Sequence, residues 1–240
     1  MNKKNLTTKE TFDLAVQNHK KNNLQAAEKL YKEILKTNPN FEGAYNNLAN
    51  VLHELGKHQK AISCYEKAIQ IQPNYANAHY NLGLVFKKLG EFQKAVSCYE
   101  KAVQINPNFA GAHNNLGNVL HELGEFQKAV SCYEKAVQIN PNFVDAHNNL
   151  GAVYFELGEH QRAISCYKKV IQIEPNNLTS HWLSMNTFPI IYENLKEIDL
   201  YRKRFEDWIK KINQLLDTQS QYTKKQIIDA MKSSTNFYLS

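Results

Sequence analysis

The sequence predicts an all-α solenoid of stacked helical hairpins. Residues 76–109 and 110–143 are nearly identical, and looser copies occupy 8–41, 42–75 and 144–177. Prolines mark this spacing, because each lies 34 residues after the one before it: Pro39, Pro73, Pro107, Pro141 and Pro175. A fixed period of this length is typical of repeat architectures, in which each unit packs only against its neighbours.

Each repeat reads as two helices joined by a tight turn. In residues 110–143, the first helix is indicated by residues on one stripe at helical spacing: His113, Leu116, Leu120 and Leu123, with the small Gly117 beside them. Gly124 is a predicted left-handed C-cap. The second helix has the same periodicity: Phe126, Ala129, Tyr133 and Ala136. Pro141 ends it, because the residue before a proline disfavours helix.

Composition and charge exclude several classes of function. The 240 residues are 42% hydrophobic, which is sufficient for a packed fold, and the formal net charge is +6. Residues 42–177 carry equal numbers of basic and acidic side chains, so they have no cationic excess for nucleic-acid phosphates. No apolar run is long enough for a membrane span or placed as in a signal peptide. We therefore expect a cytoplasmic protein that binds neither nucleic acid nor membrane.

No catalytic site, metal site or cofactor is predicted. The four cysteines share one position of successive repeats: Cys64, Cys98, Cys132 and Cys166. Stacked helices lie about 8–10 Å apart, whereas a disulfide requires Cα atoms within about 7 Å. We interpret these cysteines as free packing residues, with redox or metal chemistry as the alternative. Three histidines recur on the inward stripe and are interpreted as partly buried packing residues: His79, His113 and His147.

The recurring residues resemble the tetratricopeptide repeat (TPR). With Ala110 as position 1, a small residue recurs at position 8, alanine at position 20 and tyrosine at position 24. The resemblance covers residues 8–177 and implies a right-handed α-solenoid of five repeats: 8–41, 42–75, 76–109, 110–143 and 144–177. Residues 1–7 are a polar lead-in. Repeat 1 has Asn22 in place of the capping glycine, and asparagine also tolerates the left-handed conformation.

Residues 178–240 are predicted to form a helical cap or connector. A short helix is expected at Thr179–Asn186, a long amphipathic helix at 193–217 and a shorter helix at 223–232. Terminal repeats need such a covering for solubility, so we expect these helices to cover the apolar edge of repeat 5.

A polar face lies opposite the packing stripe of the first helices. The resemblance implies that it lines a concave groove, where side-chain amides can pair with any peptide backbone. We interpret the chain as a non-enzymatic scaffold that binds a protein or peptide in extended conformation. The candidate groove residues are Asn46, Asn47, Asn50, Tyr80, Asn81, Asn114, Asn115, Asn118, Asn148, Asn149 and Phe155. The alternative is a solvated face that was copied with the repeats.

Because this face lies away from the packing stripe, we expect alanine at Asn81, Asn115 and Asn149 to leave the fold almost unchanged. The asparagines are also similar to those in the repeat region of O-linked N-acetylglucosamine transferases and SPINDLY-like proteins. There, position 6 holds the backbone of protein substrates, which implies this role for Asn47, Asn81, Asn115 and Asn149. The chain would then be the substrate-recruiting arm of a glycosyltransferase whose catalytic domain is missing or separate. Self-association into a homo-oligomer is a further alternative.

Overall fold

The structure is a computed structural model that describes residues 6–175 and 177–186, with scattered positions between 196 and 210. The described residues form helices and no strand, which confirms the all-α prediction. The helices are α1 Thr8–Lys20, α2 Leu24–Thr37, α3 Glu42–Glu54, α4 His58–Ile71, α5 Ala76–Lys88, α6 Phe92–Ile105, α7 Ala110–Glu122, α8 Phe126–Ile139, α9 Val144–Glu156, α10 His160–Ile173 and α11 Leu178–Asn186.

The chain divides into two compact units, Met1–Val119 and Leu120–Ser240, with the division inside α7. In the first unit, α1 packs with α2, α3 with α4, and α5 with α6 as helical hairpins. Successive hairpins also meet, through the contacts of α2 with α3 and of α4 with α5. In the second unit, α9 and α10 form a hairpin, α8 packs on α9, and α11 packs on α10.

The turns inside the hairpins have the predicted left-handed residue. Gly56 and Gly90 have φ angles of +73° and +75°, and Asn22 takes the same place in repeat 1 with a φ of +60°. In repeat 2 the turn is closed by the Lys57 backbone N–H, which donates to the Leu52 carbonyl at 2.8 Å. The substitution of asparagine for glycine therefore preserves the turn, as the sequence indicated.

The buried core is broader than the predicted stripe. As expected, alanine at position 20 and tyrosine at position 24 are almost completely buried in every repeat. The prediction omitted two further positions of the first helix, where side chains are fully buried: Ala44, Val51, Ala78 and Val85 in the first unit, and Ala146 and Val153 in the second. The first helix packs against its own hairpin partner and the neighbouring hairpin, so it buries more than one stripe.

Position 4 of the first helix fixes the loop that precedes it. The His79 and His113 Nε2 atoms lie 3.0 Å from the carbonyl oxygens of Pro73 and Pro107, respectively. The second unit repeats this contact between His147 and Pro141 at 3.0 Å. These histidines are partly or largely buried, as predicted, but they also hydrogen-bond a carbonyl that the proline turn leaves outside the helix.

The predicted short helix at Thr179–Asn186 is confirmed as α11. It is placed like the first helix of a further repeat, since His181 Nε2 lies 2.8 Å from the Pro175 carbonyl. Ser180 and Ser184 are buried where repeats 2–5 have alanine and leucine, respectively. The predicted helix 223–232 lies outside the described residues. So does the predicted helix 193–217, except for scattered positions that are helical.

Candidate functional site

The predicted groove residues do not all lie at the surface. Asn46 and Asn114, which were expected to line the groove, are only 5% and 6% exposed, so little of either side chain is open to a guest. Asn46 lies at the junction between α3 and α5, where Asn81 of the neighbouring repeat donates to its Oδ1 atom. The other nine candidates are half-buried: Asn47, Asn50, Tyr80, Asn81, Asn115, Asn118, Asn148, Asn149 and Phe155.

In the first unit, Asn81 connects repeat 3 to repeat 2. Its Nδ2 group donates to Asn46 Oδ1 at 3.3 Å and to Asn50 Oδ1 at 3.2 Å. Asn46 in turn donates from Nδ2 to Asn47 Oδ1 at 3.2 Å. The four amides form a continuous network across α3 and α5, which satisfies the buried polar atoms of Asn46.

Repeat 4 makes the corresponding contact with repeat 3. Asn115 Nδ2 donates to the Tyr80 hydroxyl at 2.9 Å, and Asn118 Nδ2 donates to Asn115 Oδ1 at 3.4 Å. The Tyr80 ring packs against Phe109 with centroids 4.7 Å apart, so the hydroxyl is held in place. Position 6 therefore joins adjacent repeats in this unit. The sequence analysis did not anticipate these contacts between repeats, and the expectation that alanine at Asn81 and Asn115 leaves the fold almost unchanged stays a prediction.

In the second unit a related polar contact involves Asn148. Asn148 Oδ1 accepts a hydrogen bond of 3.0 Å from the Ser180 hydroxyl, so α11 takes part in the polar contact. The Phe155 ring meets the His160 ring edge-on with centroids 5.4 Å apart. This contact places the half-buried Phe155 ring against the start of α10.

The amide at position 9 of the first helix accepts a hydrogen bond from the core tyrosine in repeat 2. In repeat 2 the Tyr65 hydroxyl donates to Asn50 Oδ1 at 2.6 Å. In repeat 3 the corresponding position is Leu84, and the buried Tyr99 hydroxyl has no hydrogen-bond partner among the described residues. The sequence analysis missed this function of Asn50. Alignment of the repeats at their 34-residue spacing contained the signal, because Leu84 stands between Asn50 and Asn118.

Charged side chains at the ends of the first helices pair between repeats. His19 Nε2 lies 2.8 Å from Glu54 Oε1 in the first unit, and His121 Nε2 lies 2.7 Å from Glu156 Oε2 in the second. Lys87 and Lys88 of α5 have no ion pair among the described residues. Burial, the nearby His58 and the Lys88 ammonium lower the pKa of His53, an effect that Glu54 opposes.

The cysteines do not form a reactive site. None of the four cysteines forms a disulfide within the described residues. Burial raises the pKa of Cys98 to about 11 and that of Cys166 to about 12, so little thiolate exists at neutral pH. Within the part of the chain that the structure describes, no cluster of three or more histidine, cysteine or acidic side chains could hold a metal ion. None of the described helices has the length and apolar character needed to cross a membrane.

Comparison with solved structures places the fold among known repeat proteins. The crystal structure of MamA has 28% sequence identity and a TM-score of 0.63, and the match covers 67% of this chain and 94% of that one. YrrB, described as a TPR protein with an unusual peptide-binding site, has 21% identity, a TM-score of 0.63, and coverage of 84% and 97%. Pseudomonas aeruginosa pilF has 17% identity, a TM-score of 0.72, and coverage of 94% and 97%. The last two similarities show the fold alone.

No curated protein matches the sequence. Models of repeat families match throughout the array. One described as TPR repeat matches residues 49–90 and 117–158. Two described as tetratricopeptide repeat match 76–109 and 144–177, and 30–63 and 98–131. These matches cover residues 30–177 without a gap and describe repeat units. The chain therefore belongs to the tetratricopeptide repeat family, whose fold is a scaffold for protein interactions.

Proposed function

We propose that the protein binds a polypeptide in extended conformation on the surface of its first helices, and that it does so without catalysis. The observation that carries this proposal is the set of half-buried amides at position 6, which in the first unit are Asn47, Asn81 and Asn115. They recur once per repeat, so an extended guest meets them at regular intervals. Repeats advance by about 8–10 Å, and an extended chain by about 3.3–3.6 Å per residue.

The amide network supports this function by fixing the groups before binding. Asn81 uses its Nδ2 group for Asn46 and Asn50, and its Oδ1 atom accepts no hydrogen bond from the described residues. That oxygen is available for a backbone N–H of the guest. A side chain that is already held loses less conformational entropy on binding, so a hydrogen bond to it contributes more to affinity.

The proposed binding is weak and tolerant of sequence. Each hydrogen bond contributes about 0.5–1.5 kcal/mol, whereas association costs an estimated 4–15 kcal/mol. A few amide contacts therefore do not produce tight binding by themselves. Aromatic anchors add affinity, and the half-buried Tyr80 and Phe155 rings are the candidates in the first and second unit, respectively.

The test compares Asn81→Ala with Asn74→Ala. Asn74 is exposed in the loop between α4 and α5, so it is a matched control at a distance from the amide network. A panel of fluorescently labelled, unstructured peptides is titrated against both variants and the wild type. We expect Asn81→Ala to weaken binding by about 2–12-fold, which is one hydrogen bond, and Asn74→Ala to have no effect.

Circular dichroism at each titration temperature shows whether the variants are folded. A folded Asn81→Ala variant with wild-type affinity would contradict the proposal, as would a panel in which no peptide binds the wild type. Transfer of sugar to a peptide by the isolated chain would contradict the non-enzymatic assignment. The glycosyltransferase-arm hypothesis stays a prediction, and it also locates its substrate at these amides.

A further inference from the structure

Two helices of the first unit depart from the amide pattern. In α1 the corresponding residues are Asp13, Val16 and Lys20, whereas α5 keeps the position 6 amide and changes the other two. Asn81, Leu84 and Lys88 lie three and seven residues apart on α5, so they share one face of the helix. We call these three residues the α5 stripe. The corresponding residues of α3 are an amide, a second amide and a carboxylate: Asn47, Asn50 and Glu54. Repeat 3 thus replaces a polar and an acidic group with an aliphatic and a basic group.

Leu84 leaves a defect in the core below it. Without an amide at that position, the Tyr99 hydroxyl is buried and has no partner among the described residues. The same holds for the Tyr31 hydroxyl of repeat 1, where the corresponding position is Val16. The same tyrosine in repeat 2 bonds to Asn50 at 2.6 Å. Natural proteins break such local rules mainly at functional sites. The Leu84 side chain itself is half-buried, so part of it remains in contact with solvent.

Lys88 adds an uncompensated charge beside this aliphatic group. Its side chain is exposed and has no ion pair among the described residues. Glu54 occupies the position of repeat 2 that corresponds to Lys88, and its carboxylate already pairs with His19 at 2.8 Å. A lysine in the last turn of a helix is favoured by the helix dipole, which explains a cation there but does not explain Leu84.

We propose that the α5 stripe determines which segment the first unit binds: one whose aliphatic side chain packs on Leu84 while a neighbouring Asp or Glu pairs with Lys88. This inference rests on the proposed peptide-binding function and adds its specificity. The amides contact the guest backbone and therefore accept any sequence. Leu84 and Lys88 offer apolar surface and positive charge, so they discriminate between side chains.

The experiment uses the full chain and three labelled peptides. The first is a serine-rich neutral peptide that carries one leucine and one aspartate separated by a single residue. The second has serine for the leucine, and the third has asparagine for the aspartate. The protein variants are Leu84→Asn and Lys88→Glu. Lys60→Glu is the charge-matched control, because Lys60 is exposed on α4 and pairs with no acidic group in the described part of the chain.

We expect Leu84→Asn to weaken binding of the leucine–aspartate peptide by about tenfold through lost apolar contact. We also expect it to raise the melting temperature, because the Oδ1 atom of the new asparagine can accept a hydrogen bond from the Tyr99 hydroxyl. Weaker binding by a more stable variant excludes misfolding as the cause. Lys88→Glu should weaken binding of the leucine–aspartate peptide by up to about fivefold. It should hardly change the affinity for the peptide in which asparagine replaces the aspartate. Lys60→Glu should bind all three peptides as the wild type does.

Two results would overturn the inference and leave the proposed function intact. One is equal wild-type affinity for all three peptides. The other is unchanged affinity of Leu84→Asn and Lys88→Glu for the leucine–aspartate peptide, while Asn81→Ala weakens every peptide. If the wild type binds none of the three peptides, nor any other unstructured peptide, both the proposed function and this inference are wrong.

Discussion

Repeats 2 and 3 place the same tyrosine in two different environments. Tyr65 and Tyr99 are both almost fully buried at position 24, and burial raises the pKa of both phenols. The Tyr65 hydroxyl bonds to Asn50, whereas the Tyr99 hydroxyl has no partner in the described structure. A single position of the preceding helix makes this difference. Repeats that share a core pattern therefore differ in stability and in the surface that they present.

The largest expected effect comes from making repeat 2 resemble repeat 3. Asn50→Leu removes the acceptor of the Tyr65 hydroxyl and one acceptor of Asn81. Because it leaves a buried donor unsatisfied, we expect the free energy of unfolding to fall by about 1–3 kcal/mol. Chemical denaturation followed by circular dichroism measures this change. An unchanged midpoint and slope would show that the hydroxyl finds another partner.

The second prediction concerns the small residue at position 8. A Cβ atom added at Gly83 would lie 2.7 Å from the Tyr99 ring, although repeat 2 accommodates Ala49 at this position. Overpacking costs about 1–3 kcal/mol, and the better helix propensity of alanine offsets about 1 kcal/mol. We therefore expect Gly83→Ala to destabilise the fold by about 0–2 kcal/mol. A melting temperature above that of the wild type would show that the Tyr99 ring can shift as freely as that of Tyr65.

Removal of each hydroxyl compares the two tyrosines directly. Tyr65→Phe loses a hydrogen bond, so we expect a loss of about 0.5–1.5 kcal/mol in unfolding free energy. Tyr99→Phe removes a polar atom that has no partner, so we expect no loss or a small gain. Denaturation of both variants under the same conditions gives the difference between them. Equal losses would mean that an ordered water satisfies the Tyr99 hydroxyl.

The smallest effect concerns pH. The pKa of His53 is lowered by burial, by His58 and by Lys88, so the folded state binds fewer protons than the unfolded state just below the unfolded pKa of about 6.5. This group therefore makes stability increase with pH in that window, and its contribution is lost as the pH falls below it. In Lys88→Glu we expect a higher His53 pKa, measured by NMR titration of the imidazole. An unchanged value would show that Lys88 does not act on His53.

The sequence was sufficient for the helices and their turns, since both depend on local contacts that recur in every copy. The glycine and asparagine caps, the proline-terminated second helices and the buried tyrosines were predicted from the repeat period and helical spacing. The short helix at Thr179–Asn186 was also predicted, and the structure has it as α11. These features require only interactions between residues close in the chain or one repeat apart.

The tertiary structure decided which side chains of the polar face are buried and which hydrogen bonds they make. One helix alone does not reveal which side chains of this face become covered when hairpins pack, so Asn46 and Asn114 were expected at the surface and are buried. Nor does it reveal that Asn81 donates to two amides of repeat 2, or that Leu84 leaves Tyr99 without a partner. The sequence by itself determined the repeated helical hairpin, because local hydrogen bonds and apolar periodicity suffice to form it. The tertiary structure decided which amides hydrogen-bond to a neighbouring repeat. Those bonds depend on distances between helices, which are set only when neighbouring hairpins pack.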